Sequence, residues 1–92
     1  MAWVRVVAWT SKLSHADCLK HFKKEIGVGL SAGPVSSMML VQTGPNSGLF
    51  ILQFASKRDL NGHDKALSHF RDGTADLQMV MTVHDGPVTW SR

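Results

Sequence analysis

The stretch FILQFASKRDLNGHDKALSHFRDG, residues 50–73, joins an apolar strand to a helix and decides the fold. The helix begins at Ser56 or Asp59, and Gly73 ends it. Gly62 is a weak point inside this helix, because glycine is a poor helix former. One side of the helix carries residues at helical spacing: Leu60, His63, Leu67 and Phe70.

The segments on either side of this stretch complete a regular order of elements. VSSMMLVQT (35–43) and GLFILQFAS (48–56) read as two strands around the turn sequence GPNSG. Residues 2–10 are rich in β-branched and aromatic types, which predicts a first strand. Ser14 and Asp17 resemble a capping box, so a first helix is expected from Ser14 to Gly27, followed by a loop over 27–34. The last strand is predicted over 75–84, and the order is therefore βαββαβ.

Two βαβ halves with right-handed crossovers place four strands in one antiparallel sheet, with both helices on one face. This is the ferredoxin-like arrangement of the α+β class. The 92 residues make one domain, 1–92, and a chain of this length buries only about 60 to 65% of the surface that its unfolded form exposes. The core is therefore expected to be thin.

The face of the sheet that the helices leave open is unusual, because both alternating sets of strand residues are largely apolar. We expect one set to pack under the helices: Val4, Val6, Ala8, Phe50, Leu52, Phe54, Leu77, Met79, Met81 and Val83. The other set is then expected on the open face: Trp3, Arg5, Val7, Trp9, Leu49, Ile51, Gln53, Gln78, Thr82 and His84. A monomer rarely exposes so large an apolar patch, so the sequence predicts a homodimer that covers this face with a second sheet.

Around the helix, Phe54 precedes His63 by nine residues, and Ser68, His69 and Phe70 follow. In this pattern and in its element order the chain resembles the dimeric α/β-barrel superfamily, nearest to its antibiotic-biosynthesis-monooxygenase-like group. Phe54 stands where that group usually has a tryptophan, and the chain contains no tyrosine. The resemblance implies two ferredoxin-like subunits that pack sheet to sheet around a cavity. It also implies a range of activities that includes cofactor-independent oxygenases of aromatic substrates.

The sequence leaves three functions open for such a dimer. It binds a small apolar or aromatic molecule between the sheets, it is a cofactor-independent monooxygenase or related cavity enzyme, or it is a purely structural or partner-binding homodimer. The candidate ligand-binding residues are Trp3, Arg5, Trp9 and Gln53, because an apolar cavity with a few convergent polar groups suits a small molecule. In the enzyme, His63 or His84 is the candidate base, and Arg5 stabilises an anion.

His63 has two readings. It shares its helix face with Leu60 and Leu67, which favours a partly buried imidazole hydrogen-bonded to backbone or to Asp59. Alternatively it lies at the cavity edge as a proton carrier.

The composition and the sequence patterns also bear on nucleic-acid binding, membrane insertion, and metal or cofactor binding. The net charge is +3, but the basic residues are scattered except for Lys20, Lys23 and Lys24 on a solvated helix face, so nucleic-acid binding is not expected. No segment is long and apolar enough to cross a membrane, and the start of the chain has no signal-peptide pattern, which favours the cytoplasm. The single Cys18 and the scattered histidines predict neither a metal site nor a cofactor.

Overall fold

A computed structural model of the chain describes residues 1–25, 30–31 and 33–92. Its strands are β1 (Trp3–Thr10), β2 (Val35–Gly44), β3 (Ser47–Phe54) and β4 (Val80–Pro87). Its helices are α1 (His15–Glu25), α2 (Lys57–Gly62) and α3 (Asp64–Gly73), and a short 3₁₀ turn covers Ala75–Leu77. The ferredoxin-like βαββαβ order predicted from the sequence is confirmed.

The sheet has the strand order β2-β3-β1-β4, and every neighbouring pair is antiparallel. The two central strands are β1 and β3, and each carries a run of four apolar residues, at 6–9 and at 49–52. The β2–β3 connection is the predicted tight turn at Pro45 and Asn46. Residues directly opposite each other in these pairs share a face of the sheet, so the pairing register fixes which side chains lie together.

The hydrophobic core lies between the helices and one face of the sheet, here called the inner face. Helix α1 begins after Ser14, whose hydroxyl accepts a hydrogen bond from the Asp17 backbone N–H at 3.2 Å, as the capping pattern predicts. The predicted stop at Gly27 lies outside the described residues. The buried apolar side chains are Val7, Trp9, Cys18, Phe22, Leu30, Phe50, Leu52, Phe54, Leu60, Leu67, Phe70 and Leu77.

The second helix differs from its prediction. It is broken at His63 into α2 and α3, directly after Gly62. Ser56 is the N-cap of α2, and its side chain accepts a hydrogen bond from the Asp59 backbone N–H. Gly62 is a poor helix former, and the buried imidazole of the next residue, His63, has hydrogen-bond partners of its own. Together these features favour a break in the helix at this position.

The last strand also differs. The predicted range, 75–84, is too early by several residues, because Ala75–Leu77 form the 3₁₀ turn and Gln78 takes a left-handed conformation with φ 51°. The strand therefore begins at Val80 and continues to Pro87, which brings Asp85 opposite Arg5.

The face assignment of β1 is wrong. Arg5 is opposite Leu52, Val7 opposite Phe50 and Trp9 opposite Gly48, so these side chains lie on the inner face, where Arg5, Val7 and Trp9 are buried. Trp3 packs against the same core. The open face, here called the outer face, receives Val4, Val6 and Ala8 instead. The assignments of β3, and of Met81, Thr82, Val83 and His84 in β4, are confirmed by the same registers.

Candidate functional site

In the part of the chain that the structure describes, the strand residues of the outer face of the sheet include no formally charged side chain. Arg5 and Asp85 are the charged residues within the four strands, and both lie on the inner face. The outer-face side chains of the central strands are mainly apolar, and Val4, Val6, Ala8, Leu49 and Ile51 are each only partly buried in the single chain. Of the flanking residues, Met39 is 59% exposed and Val80 is 68% exposed. The chain has 17 charged residues, so an open surface without any of them is unusual. Depletion of charged residues is typical of the centre of a protein interface.

The same face contains a hollow with a volume of about 390 Å³. Its position follows from the register, because Ala8 lies between Leu49 on β3 and Thr82 on β4. A methyl group between two larger side chains leaves a depression. The hollow is lined by Ala8, Trp9, Thr10, Thr43, Ser47, Gly48, Leu49, Val80 and Thr82.

Hydroxyl groups supply the polar part of this lining. The Thr43 Oγ1–H donates a hydrogen bond of 2.8 Å to Ser47 Oγ, which leaves the Ser47 hydroxyl proton available to another acceptor. Thr10 and Thr82 contribute two further hydroxyls. The hollow therefore combines an apolar floor with neutral donors and acceptors at its edge, the composition expected of a small-molecule site.

A second polar cluster lies on the inner face, around Arg5. The guanidinium makes a two-pronged contact with Asp85, with Nε to Oδ1 at 2.9 Å and Nη2 to Oδ2 at 3.1 Å. The Nη2 atom also donates to Asp64 Oδ1 at 2.6 Å, and Nη1 lies 3.1 Å from His63 Nδ1. Arg5 is 2% exposed, so its charge is held inside the protein by two carboxylates and an imidazole.

The contacts of His63 define its tautomer. The Leu30 carbonyl oxygen, 2.6 Å from Nε2, can only accept, so Nε2 carries the proton and donates it. The guanidinium of Arg5 can only donate, so Nδ1 is the bare nitrogen that accepts from Nη1. The ring also contacts Phe54, with centroids 5.2 Å apart. His63 is 1% exposed, and both of its nitrogens are occupied.

The electrostatics of the cluster agree with a neutral imidazole beside a charged guanidinium. Burial lowers the pKa of His63, and the positive charge of Arg5 lowers it further, against the opposing effects of the Leu30 carbonyl, Asp64 and Asp85. Burial also acts to lower the pKa of Arg5, but its hydrogen bonds to Asp85 and Asp64 and their charges outweigh burial and raise that pKa.

The structure distributes the predicted site residues over two faces. Trp3, Arg5 and Trp9 lie on the inner face, together with His63, while Gln53 and His84 lie exposed on the outer face. Within the described residues the His63 side chain hydrogen-bonds to Leu30 and Arg5, whereas the expected partner Asp59 donates its backbone N–H to the N-cap residue Ser56. The packed, hydrogen-bonded reading of His63 thus matches its surroundings.

Several residues that line the hollow could not be recognised as site residues from the sequence. Ala8, Thr10, Thr43 and Ser47 are ordinary strand residues, and they form a hollow only once β1 presents its even-numbered side chains outward. One signal for that orientation is present in the sequence, namely the glycine at position 48 of β3. The Trp9 ring packs against Gly48, and its nearest atom lies 2.7 Å from the position that a Cβ would occupy, so a larger residue would not fit there. No group of three or more His, Cys, Asp or Glu side chains suited to a metal ion occurs in the described part of the chain.

Comparison with known proteins gives matches to solved structures. SnoaB from Streptomyces nogalater, a cofactor-independent oxygenase, superimposes with a TM-score of 0.74 at 13% identity, over 98% of this chain and 95% of its own. The protein NE2512 from Nitrosomonas europaea, of unknown function, gives 0.75 at 9% identity, over 100% of this chain and 94% of its own.

A protein from Bordetella bronchiseptica, whose name assigns it provisionally to the antibiotic biosynthesis monooxygenases, gives a TM-score of 0.64 at 11% identity, over 98% of this chain and 100% of its own. The chain has the fold of these proteins. Neither the protein-family models nor the curated protein sequences give a match. The predicted resemblance is therefore confirmed at the level of the fold, and at these identities the fold is what the likeness carries. No helix among the described residues is long and apolar enough to span a membrane.

Proposed function

We propose that the chain acts as a homodimer whose subunits pack through the outer faces of their sheets and bind a small apolar or aromatic molecule between them. The observation that carries this proposal is the outer face itself, which is apolar, free of formal charge and hollow at one end. A second copy is the occupant that best matches such a face, because each copy brings the same uncharged surface and needs the same cover. The superfamily that the sequence resembles supports this mode of packing.

Light scattering of the wild-type chain in dilute buffer tests the dimer. The chain has a mass of 10.1 kDa, and we expect about twice that value. Val6→Lys places a charge near the centre of the outer face, opposite Ile51 and His84, and is expected to give a folded monomer. Ser68→Lys on the exposed side of α3 is the matched control and keeps the dimer. A wild-type chain that stays monomeric at tens of micromolar contradicts the proposal.

A cofactor-independent monooxygenase is the second candidate. It is supported by the structural likeness to SnoaB and by the exposed position of His84 on the outer face, next to Val6. In such a reaction a base removes a proton from an aromatic substrate, and the resulting carbanion passes an electron to O₂. Of the two candidate bases, His84 is open to a bound molecule, whereas both nitrogens of His63 are engaged and Arg5 is occupied by carboxylates.

Oxygen consumption in the presence of phenolic substrates separates the enzyme from the binding protein. If His84 is the base, His84→Gln abolishes turnover but retains binding of the same phenols. Turnover that survives in His84→Gln and is lost in His63→Gln, with the fold retained, reverses this assignment. An absence of oxygen consumption with phenols that bind supports the binding protein alone.

A further inference from the structure

None of the described residues that line the hollow in the outer face carries a charge. Its walls are formed by methyl, isobutyl and isopropyl groups and by the hydroxyls of Thr10, Thr43, Ser47 and Thr82. His84, the nearest outer-face titratable residue along β4, stands two residues beyond Thr82 and outside this lining. An anionic ligand would lose its hydration here without meeting a cation, which is costly in an enclosed space.

The lining does, in contrast, offer hydrogen-bond partners to the neutral polar groups of a ligand. The Thr43–Ser47 hydrogen bond orders two hydroxyls so that the Ser47 proton is left to donate, and the Thr10 and Thr82 hydroxyls can each donate or accept. The floor of the hollow is the Ala8 methyl group, and the larger side chains of Leu49 and Thr82 stand on either side of it, so a thin ring can lie between them. A flat apolar body with a hydroxyl or carbonyl at its edge matches both parts of the lining.

We infer that the ligand held by this hollow is an uncharged, flat molecule, such as a phenol or an aromatic ketone, and that aromatic acids are excluded. This inference rests on the proposed dimer, since the second copy encloses the hollow. It places the binding site at the Thr10 end of the sheet rather than at Arg5. The volume of about 390 Å³ lies at the lower end of the range for small-molecule pockets, roughly 300 to 1,000 Å³, which favours compact ring systems.

Three probes of the same ring size test the inference on the wild-type chain: 2-naphthol, naphthalene and 2-naphthoate at pH 7. We expect 2-naphthol to bind about three- to tenfold more tightly than naphthalene, the gain from one neutral hydrogen bond. The anion 2-naphthoate is expected to bind at least about tenfold more weakly than 2-naphthol. Calorimetry gives the affinities, and tryptophan emission gives a second readout because the Trp9 indole lies against Gly48, which also lines the hollow.

Variants locate the binding. Thr82→Val, Thr10→Val and Ser47→Ala remove one hydroxyl each with little change of shape, and at least one of them is expected to reduce the preference for 2-naphthol over naphthalene to about unity. Thr89→Val, an exposed threonine outside the four strands, is the control and leaves the preference unchanged.

The oligomeric state of the same samples, measured by light scattering, distinguishes the possible failures. A dimer that binds none of the probes, or that binds 2-naphthoate as tightly as 2-naphthol, overturns the inference and leaves the sheet-to-sheet dimer standing. A preference that all three hydroxyl variants leave intact also overturns it. A monomeric wild-type chain overturns the dimer and the inference together.

Discussion

The two faces of β1 differ in charge, and the charged residue lies on the covered face. The odd-numbered residues Arg5, Val7 and Trp9 face the helices, and this covered face contains the buried guanidinium. The even-numbered residues Val4, Val6 and Ala8 form part of the open face, which contains no charge. In a chain that works alone the charge belongs on the open side. This inversion is what we expect if the covered face stabilises the subunit and the open face serves the proposed association and binding.

The largest expected effect comes from removing the charge on the covered face. Arg5→Leu leaves the partly buried Asp85 and the Nδ1 atom of His63 without their donor. Breaking a fully buried pair costs roughly 3 to 5 kcal/mol, but the Asp85 side chain is 31% exposed, so we expect the free energy of unfolding in urea at pH 7 to fall by about 2 to 3 kcal/mol. Asp64 contributes little to this loss, because its side chain is 65% exposed.

Two further variants sharpen this measurement. Asp64→Asn is expected to cost at most about 1 kcal/mol, since it breaks an ion pair with one exposed partner. The double variant Arg5→Leu with Asp85→Leu is expected to be more stable than Arg5→Leu alone, because it removes the less exposed carboxylate and leaves Asp64, whose side chain is 65% exposed. A loss below about 1 kcal/mol in Arg5→Leu contradicts the assignment of Arg5 to the covered face.

The error in the predicted orientation of β1 has a physical cause. Alternation identifies faces only when one set of residues is polar, and in β1 both sets are apolar apart from Arg5 and the terminal Thr10. Burial of Arg5 depends on Asp64 and Asp85, which are 59 and 80 residues away along the chain. Nothing local to the strand reveals these partners, so an arginine there is assigned to the open side.

The features that sequence patterns do predict here are those that depend on neighbouring residues. The β2–β3 turn depends on Pro45 and Asn46, and the start of α1 depends on the Ser14 hydroxyl. The hollow was not predictable in this way, because it is formed by Thr10, Ser47 and Val80 from three strands and needs the correct face of β1. The break at His63 was predictable only in part, because Gly62 marks a weak point in the sequence whereas the side-chain contacts of His63 with Leu30 and Arg5 join residues far apart in the chain.

The next effect in size concerns pH. Because the pKa of His63 is lowered below its ordinary value of 6.5, the unfolded chain binds this proton more tightly than the folded chain does. The contribution of His63 to stability is therefore fully present above about pH 6.5 and is lost as the pH falls from there toward the folded-state pKa. One proton changes the free energy of unfolding by at most about 1.4 kcal/mol per pH unit in this window.

Urea unfolding of the wild type and of His63→Gln between pH 5 and pH 7.5 checks this contribution. The glutamine does not titrate, so we expect the variant to be less stable at pH 7.5 and to show a smaller decrease toward pH 5. His69→Gln, at an exposed position on α3, is the control for a change of histidine count. Parallel pH profiles for the wild type and His63→Gln would show that the imidazole does not titrate in the way its buried contacts imply.

The smallest expected effect tests the position of Trp3 at the end of β1. Lys57, the first residue of α2, places its Nζ atom 5.3 Å from the centre of the Trp3 ring. This contact requires Trp3 to face the helices, in agreement with Arg5, Val7 and Trp9.

Because Lys57 is exposed, its cation–π contact with Trp3 is worth about 0.5 to 1 kcal/mol. Lys57→Met keeps much of the chain length and removes the charge, so we expect a loss of that size together with a change in tryptophan emission. Lys65→Met, at an exposed position on α3, should change neither quantity by a comparable amount. If Trp3 instead faced a partner across the open side of the sheet, Lys57→Met would leave its emission unchanged, whereas Val6→Lys would alter it by separating the subunits. The two variants therefore test the same residue from opposite faces of one strand.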